Sequence, residues 1–341
     1  MQHHGAVLDA EPGPRPAEES VRAGSRADRI VVALAVATMV CAYALVVLGS
    51  TVRVTNSGMG CPSWPLCYGH LGPVDRFHAL LEQSHRYLVA LVTVGAFSTA
   101  AVARRARARA RRVAFVPAAA AAALVVFQAA LGALTVLAKN APWTVAVHLV
   151  VGLVFFAVTV VTAVAAVRGP RGRWSPGAVG GWGWAALAAT LATIVGGTLV
   201  VAKGAGAACP AWPLCPSSAS GLADWQLVHR SLAGIAAISL AVFVVSRWRA
   251  LAGRWRVAAG GTVGLFVAVA GFGAASALSR AAPAWQDVHL AMVALLWGSV
   301  VATVAALATG AAPALATGAA PALATGAAPR RPAVTGEGSS G

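Results

Sequence analysis

Eight stretches of about 20 residues each carry almost no charged side chain, and they alternate with shorter segments rich in Gly, Pro, Arg or Cys. A helix needs roughly 20 apolar residues to cross a bilayer, because every backbone polar group must be satisfied inside the segment. The pattern predicts membrane-spanning helices over residues 30–50, 84–103, 113–137, 145–167, 182–201, 227–246, 257–277 and 288–307. The fold class is therefore all-α, a polytopic membrane protein with eight transmembrane helices.

The helices fall into two groups of four. Cys61-Pro-Ser-Trp-Pro-Leu-Cys67 follows the first helix and Cys209-Pro-Ala-Trp-Pro-Leu-Cys215 follows the fifth, and each is succeeded by a His-Arg pair, His85-Arg86 and His229-Arg230. Gly49 and Gly197 each lie twelve residues before the first Cys of their phrase. Gly132 and Gly273 each lie ten before a proline, Pro142 or Pro283, which in turn lies six before His148 or His289. A period near 145 residues is too long for a solenoid, and an even number of helices per unit gives both units the same orientation in the membrane. The expected organisation is two tandem pseudo-symmetric four-helix bundles, residues 30–168 and 169–308. They are flanked by a disordered cytoplasmic arm, 1–29, and a low-complexity cytoplasmic tail, 309–341, in which Leu-Ala-Thr-Gly-Ala-Ala-Pro recurs.

Composition agrees: 58% of residues are hydrophobic, 11% are charged, and mean hydropathy is +0.74, too apolar for a soluble chain of this length. The net charge of +16 would ordinarily raise a nucleic-acid reading. Here the arginines cluster in alternate segments: Arg22, Arg26 and Arg29; the run from Arg104 to Arg112; Arg168, Arg171 and Arg173; Arg247 to Arg256; and the tail. The positive-inside rule then places both termini in the cytoplasm of a plasma-membrane protein, and membrane lipids, not nucleic acid, are the partners of these arginines. The Cys phrases and the helix ends carrying His85, His148, His229 and His289 fall on the opposite, extracytoplasmic side.

Ionisable residues within a membrane are costly and face a bundle interior, so four histidines at one depth point to function. Histidines on facing helices can grip a haem iron from both faces, whereas zinc would want further ligands at short spacing. The natural grouping is His85 with His148 and His229 with His289, one haem pocket per half. Arg86 and Arg230 fit either haem propionates or a role as headgroup anchors. In an oxidising compartment each Cys pair favours a disulfide. Closing so short a loop contributes only ~2 kcal/mol, which leaves Cys209 and Cys215 open between structural and redox roles, while Cys61 and Cys67, close in sequence to the candidate carboxylate Glu82, have the better claim to redox work. The repeat breaks at one place: Glu82 shares a helix face with His85, and Gln226 stands at the matching place before His229. Only the first half carries the acid, so it is the catalytic candidate, against the plainer reading of an i,i+4 ion pair with Arg86. Asp287 stands two before His289, a spacing that does not share its face.

Together, the segment from Gly49 to Gly58, the Cys phrases, Glu82-Gln-Ser-His85-Arg86, Gln128-Ala-Ala-Leu-Gly132 and the four histidines resemble haem A synthase, over roughly residues 30–307. Two Cys phrases resemble the bacterial type. The resemblance implies an oxidoreductase that converts the C8 methyl of haem O to a formyl group, giving haem A for terminal oxidases. It implies that His229 and His289 ligate a resident haem b, that His85 and His148 embrace the substrate haem, that Glu82 is an essential carboxylate, and that Cys61–Cys67 is the disulfide beside it. Haem O synthase and terminal oxidase assembly factors are the protein partners it suggests. A dihaem b-type electron-transfer cytochrome would use the four histidines but gives Glu82 no role. A membrane thiol–disulfide oxidoreductase would use the Cys pairs and leave the histidines idle.

Overall fold

The computed structural model describes residues 16–72, 75–105, 109–168, 174–216, 221–251 and 253–310. Eight long helices account for nearly all of it: α1 (Pro16–Val54), α2 (Phe77–Arg105), α3 (Arg109–Leu137), α4 (Pro142–Arg168), α5 (Gly180–Ala202), α6 (Ala223–Arg247), α7 (Arg254–Leu278) and α8 (Pro283–Ala308). All eight contain a span long and apolar enough to cross a membrane. Among the described residues there is no strand, only an isolated bridge between Cys67 and His70. α1 starts at Pro16, so residues 16–29, expected to be part of an irregular arm, are helical; residues 1–15 and 311–341 lie outside the described residues. α2 starts seven residues ahead of the predicted span, which carries Glu82 into the helix.

Apolar helices need little help from charge, and many of their hydroxyls are satisfied locally. Thr93, Thr162 and Thr190 each donate their hydroxyl to the backbone carbonyl one turn earlier, at 2.7–2.8 Å. The helices pair as antiparallel hairpins, α1 with α2, α3 with α4, α5 with α6 and α7 with α8, and the two halves meet where α8 packs on α4 and α1; the spans of α4 and α8 are the most buried of the eight. Ala, Gly and aromatic side chains interlock at that seam: the Phe156 ring packs on Gly298, and Trp297 Nε1 donates to the Leu153 carbonyl at 2.8 Å. The halves close differently. In the first, α2 packs along α3 and α1 along α4; in the second, α6 barely touches α7.

A polar contact crosses from one half to the other near the histidine level. Thr51 on α1 donates to Asp287 Oδ2 on α8 at 2.8 Å, and Arg53 Nη2 donates to Gln286 Oε1 at 3.3 Å. The repeat-related positions are Leu199 and Val201 on α5 and Val145 and Ala146 on α4, all apolar. Asp287 thus faces α1, in line with a position off the face of His289.

Candidate functional site

Each histidine lies against a glycine of the helix before it. A Cβ on Gly49 would stand 3.0 Å from His85 Cε1, one on Gly132 3.3 Å from His148, one on Gly197 3.1 Å from His229 and one on Gly273 3.0 Å from His289. The glycines that align the two halves in sequence are therefore the ones that let four imidazoles sit between helices. His85 and His148 stand on α2 and α4 of the first half, and His229 and His289 on α6 and α8 of the second.

The pairs are held unequally. His229 Nδ1 lies 3.0 Å from the Thr193 carbonyl and His289 Nδ1 3.2 Å from that of Val269. A carbonyl only accepts, so both Nδ1 atoms carry hydrogen and Nε2 keeps the free lone pair. Such an anchor fixes ring orientation and ligand basicity in metal-binding histidines. His85 and His148 have buried Nδ1 atoms with no hydrogen-bond partner among the described residues. Two imidazoles per bundle, each backed by a glycine, fit a planar group gripped from both faces. A zinc-type donor set is not present among the described residues, where no three His, Cys, Asp or Glu side chains converge.

Both Cys phrases close as disulfides, Cys61–Cys67 and Cys209–Cys215, each with a cis Trp-Pro bond at its tip. Cys61, Cys67 and Cys209 are fully buried. An Arg clamps each loop to its helix. Arg86 Nη1 donates to the carbonyls of Ser63, Pro65 and Leu66 at 2.8–3.2 Å, and Arg230 donates to those of Pro213 and Cys209 at 2.9 and 3.3 Å. Both arginines thus tie a Cys loop to the helix that bears a histidine.

Glu82 and Gln226 have opposite polarity toward the loops they face. Glu82 is buried; its Oε2 accepts from the Cys61 N–H at 2.7 Å and its Oε1 pairs with Arg86 at 2.6 Å. Gln226 accepts from Arg230 at 2.7 Å, but its Nε2 donates to the carbonyls of Ala205 and Gly206, both at 2.8 Å. Two donors converge on Glu82, and only a carboxylate accepts from both. The ion pair with Arg86 is therefore real, and it ties the acid to the disulfide loop.

Reading the sequence missed the Thr51–Asp287 and Arg53–Gln286 contacts. Their signal was that each of the four polar residues occurs in one half only.

Compared with known families, the chain matches the COX15-CtaA family, cytochrome oxidase assembly protein, over residues 32–78 and 73–301. The chain belongs to this family. The haem A synthase resemblance is borne out by its relatives: a haem A synthase of Exiguobacterium sibiricum is 30% identical over 200 residues, 56% of this chain and 66% of that one. One from Geobacillus thermodenitrificans is 28% identical over 215 residues, 58% and 65% of the two chains. The match thus spans a little under two thirds of each of these relatives. A protoheme IX farnesyltransferase of Halobacterium salinarum is 33% identical over 135 residues, 40% of this chain and 29% of that one.

Proposed function

We propose that this protein is a haem A synthase that oxidises the C8 methyl group of haem O to a formyl group. His229 and His289 hold a resident haem b, whose chemistry when bound is to pass electrons one at a time. His85 and His148 receive the haem O substrate and release haem A. The observation that carries this division is the unequal anchoring of the imidazoles: ligands with Nδ1 tied to a carbonyl suit a permanent group, and rings without that tie can adjust to a group that comes and goes. Glu82, on the helix that bears His85, is the acid–base group beside the substrate, and the Cys61–Cys67 disulfide is held against it. Haem O synthase and terminal oxidase assembly factors are the partners that would deliver substrate and accept product. In a host that makes haem O, extracted haem should include haem A only when this protein is present. Haem O alone in both cultures would reject the reading.

The four histidines and both disulfides are assigned to the extracytoplasmic side, with the termini in the cytoplasm. Cys215 is partly exposed whereas Cys67 is fully buried, so Cys215 is the reporter. After reduction of intact cells, a membrane-impermeant thiol reagent should label it. Labelling only after lysis would invert the topology.

A further inference from the structure

A small cavity of about 10 Å³ lies inside the first bundle, lined by two residues from each helix: Ala35 and Thr38, Ala96 and Thr99, Ala118 and Ala121, Thr159 and Thr162. In every helix these are the residues eleven and fourteen positions inward from its Gly49, His85, Gly132 or His148. At a rise of 1.5 Å per residue they form a layer roughly 16–21 Å below the histidines. Thr38, Thr99, Thr159 and Thr162 are all buried. Three of the hydroxyls donate to carbonyls of their own helices, which leaves their oxygens able to accept. Thr38 Oγ1 is buried against Gly95 and has no hydrogen-bond partner among the described residues.

The second half fills the same layer. Counting from Gly197 and His229, Ala35 and Thr38 become Gly183 and Ala186, and Ala96 and Thr99 become Leu240 and Phe243. Phe243 is fully buried, and its ring lies so close to Gly183 that a Cβ there would stand 2.7 Å from it. On α8 Val300 replaces Thr159 while Thr303 matches Thr162, and on α7 Ala259 and Thr262 match Ala118 and Ala121. Both second-half threonines are buried with partners, Thr262 with the Ser299 hydroxyl and Thr303 with the Ser299 carbonyl. Leu240, Phe243 and Val300 thus put apolar bulk where Ala96, Thr99 and Thr159 stand in the first bundle.

We infer that the Thr38 layer of the first bundle is a binding site for a single internal water molecule, one that the Phe243 plug abolishes in the second. The volume matches about one probe sphere, the size needed for one water, and a buried water requires two to four polar partners. Thr38 can donate to it, and it can donate to the free lone pairs of the other threonines. A hydroxyl left buried without a partner in hydrocarbon is costly, and water removes that cost.

The sign of a stability change tests the site. Thr38→Val keeps the shape and deletes the hydroxyl. If water is bound, melting in nanodiscs should fall by roughly 2–4 °C, because water loses a partner; Thr38→Ser, which keeps the hydroxyl, should fall less. If the cavity is dry, Thr38→Val should melt at the wild-type temperature or higher, since it removes an unsatisfied group, and that overturns the assignment. An experimental map of the full protein at water-resolving resolution reads the site directly. Density within hydrogen-bonding distance of Thr38 Oγ1 is expected, and an empty layer contradicts it.

Discussion

Glu82→Gln is expected to reduce haem A formation by about 10²–10⁴-fold, the range in which a positioned acid–base group contributes. The substitution installs the residue that the second half carries at Gln226, yet the structure shows that the two positions are not interchangeable. Glu82 accepts from both Cys61 N–H and Arg86, whereas Gln226 accepts from one side and donates on the other. A glutamine at residue 82 must turn its amide hydrogens toward one of two donors. An unsatisfied buried group there costs about 1–3 kcal/mol, so the Cys61 loop should loosen as well. Alkylation of Cys61 and Cys67 under mild reductant separates the two contributions. Lost conversion with an unchanged alkylation rate assigns the effect to proton chemistry; lost conversion with faster alkylation assigns it to the clamp. Haem A at wild-type yield would reject both roles for Glu82.

Much of this site was legible in the chain because the repeat acts as an internal comparison. Apolar stretches marked eight helices, matched glycines, histidines and Cys phrases marked the repeat, and Glu82 against Gln226 marked the broken symmetry. Periodicity could not say what the matched glycines do, since a glycine's packing partner lies on another helix; the structure places an imidazole on each. The loop contacts of Arg86 and Arg230 were hidden for a related reason. Charge alone points to an anionic partner, whereas a guanidinium has five donors, and besides Glu82 or Gln226 one turn away each arginine reaches carbonyls of a tightly closed loop. The start of α1 was missed because residues 16–29 are polar, and helicity outside the apolar span leaves no hydropathy signal.

Unequal roles for the two halves predict unequal effects of single substitutions at the four histidines. On the proposed division, His229→Ala and His289→Ala would each remove one ligand of the resident haem, and the remaining histidine could not keep the bis-histidine state. His85→Ala and His148→Ala leave that pair, with its anchoring carbonyls at Thr193 and Val269, untouched. Spectra of the four purified variants, normalised to protein, are the measurement. The low-spin b-type spectrum should vanish in the two second-half variants and persist near wild-type intensity in the two first-half variants, while all four fail to make haem A. Equal loss of the same spectrum in all four would contradict the division of labour between the halves.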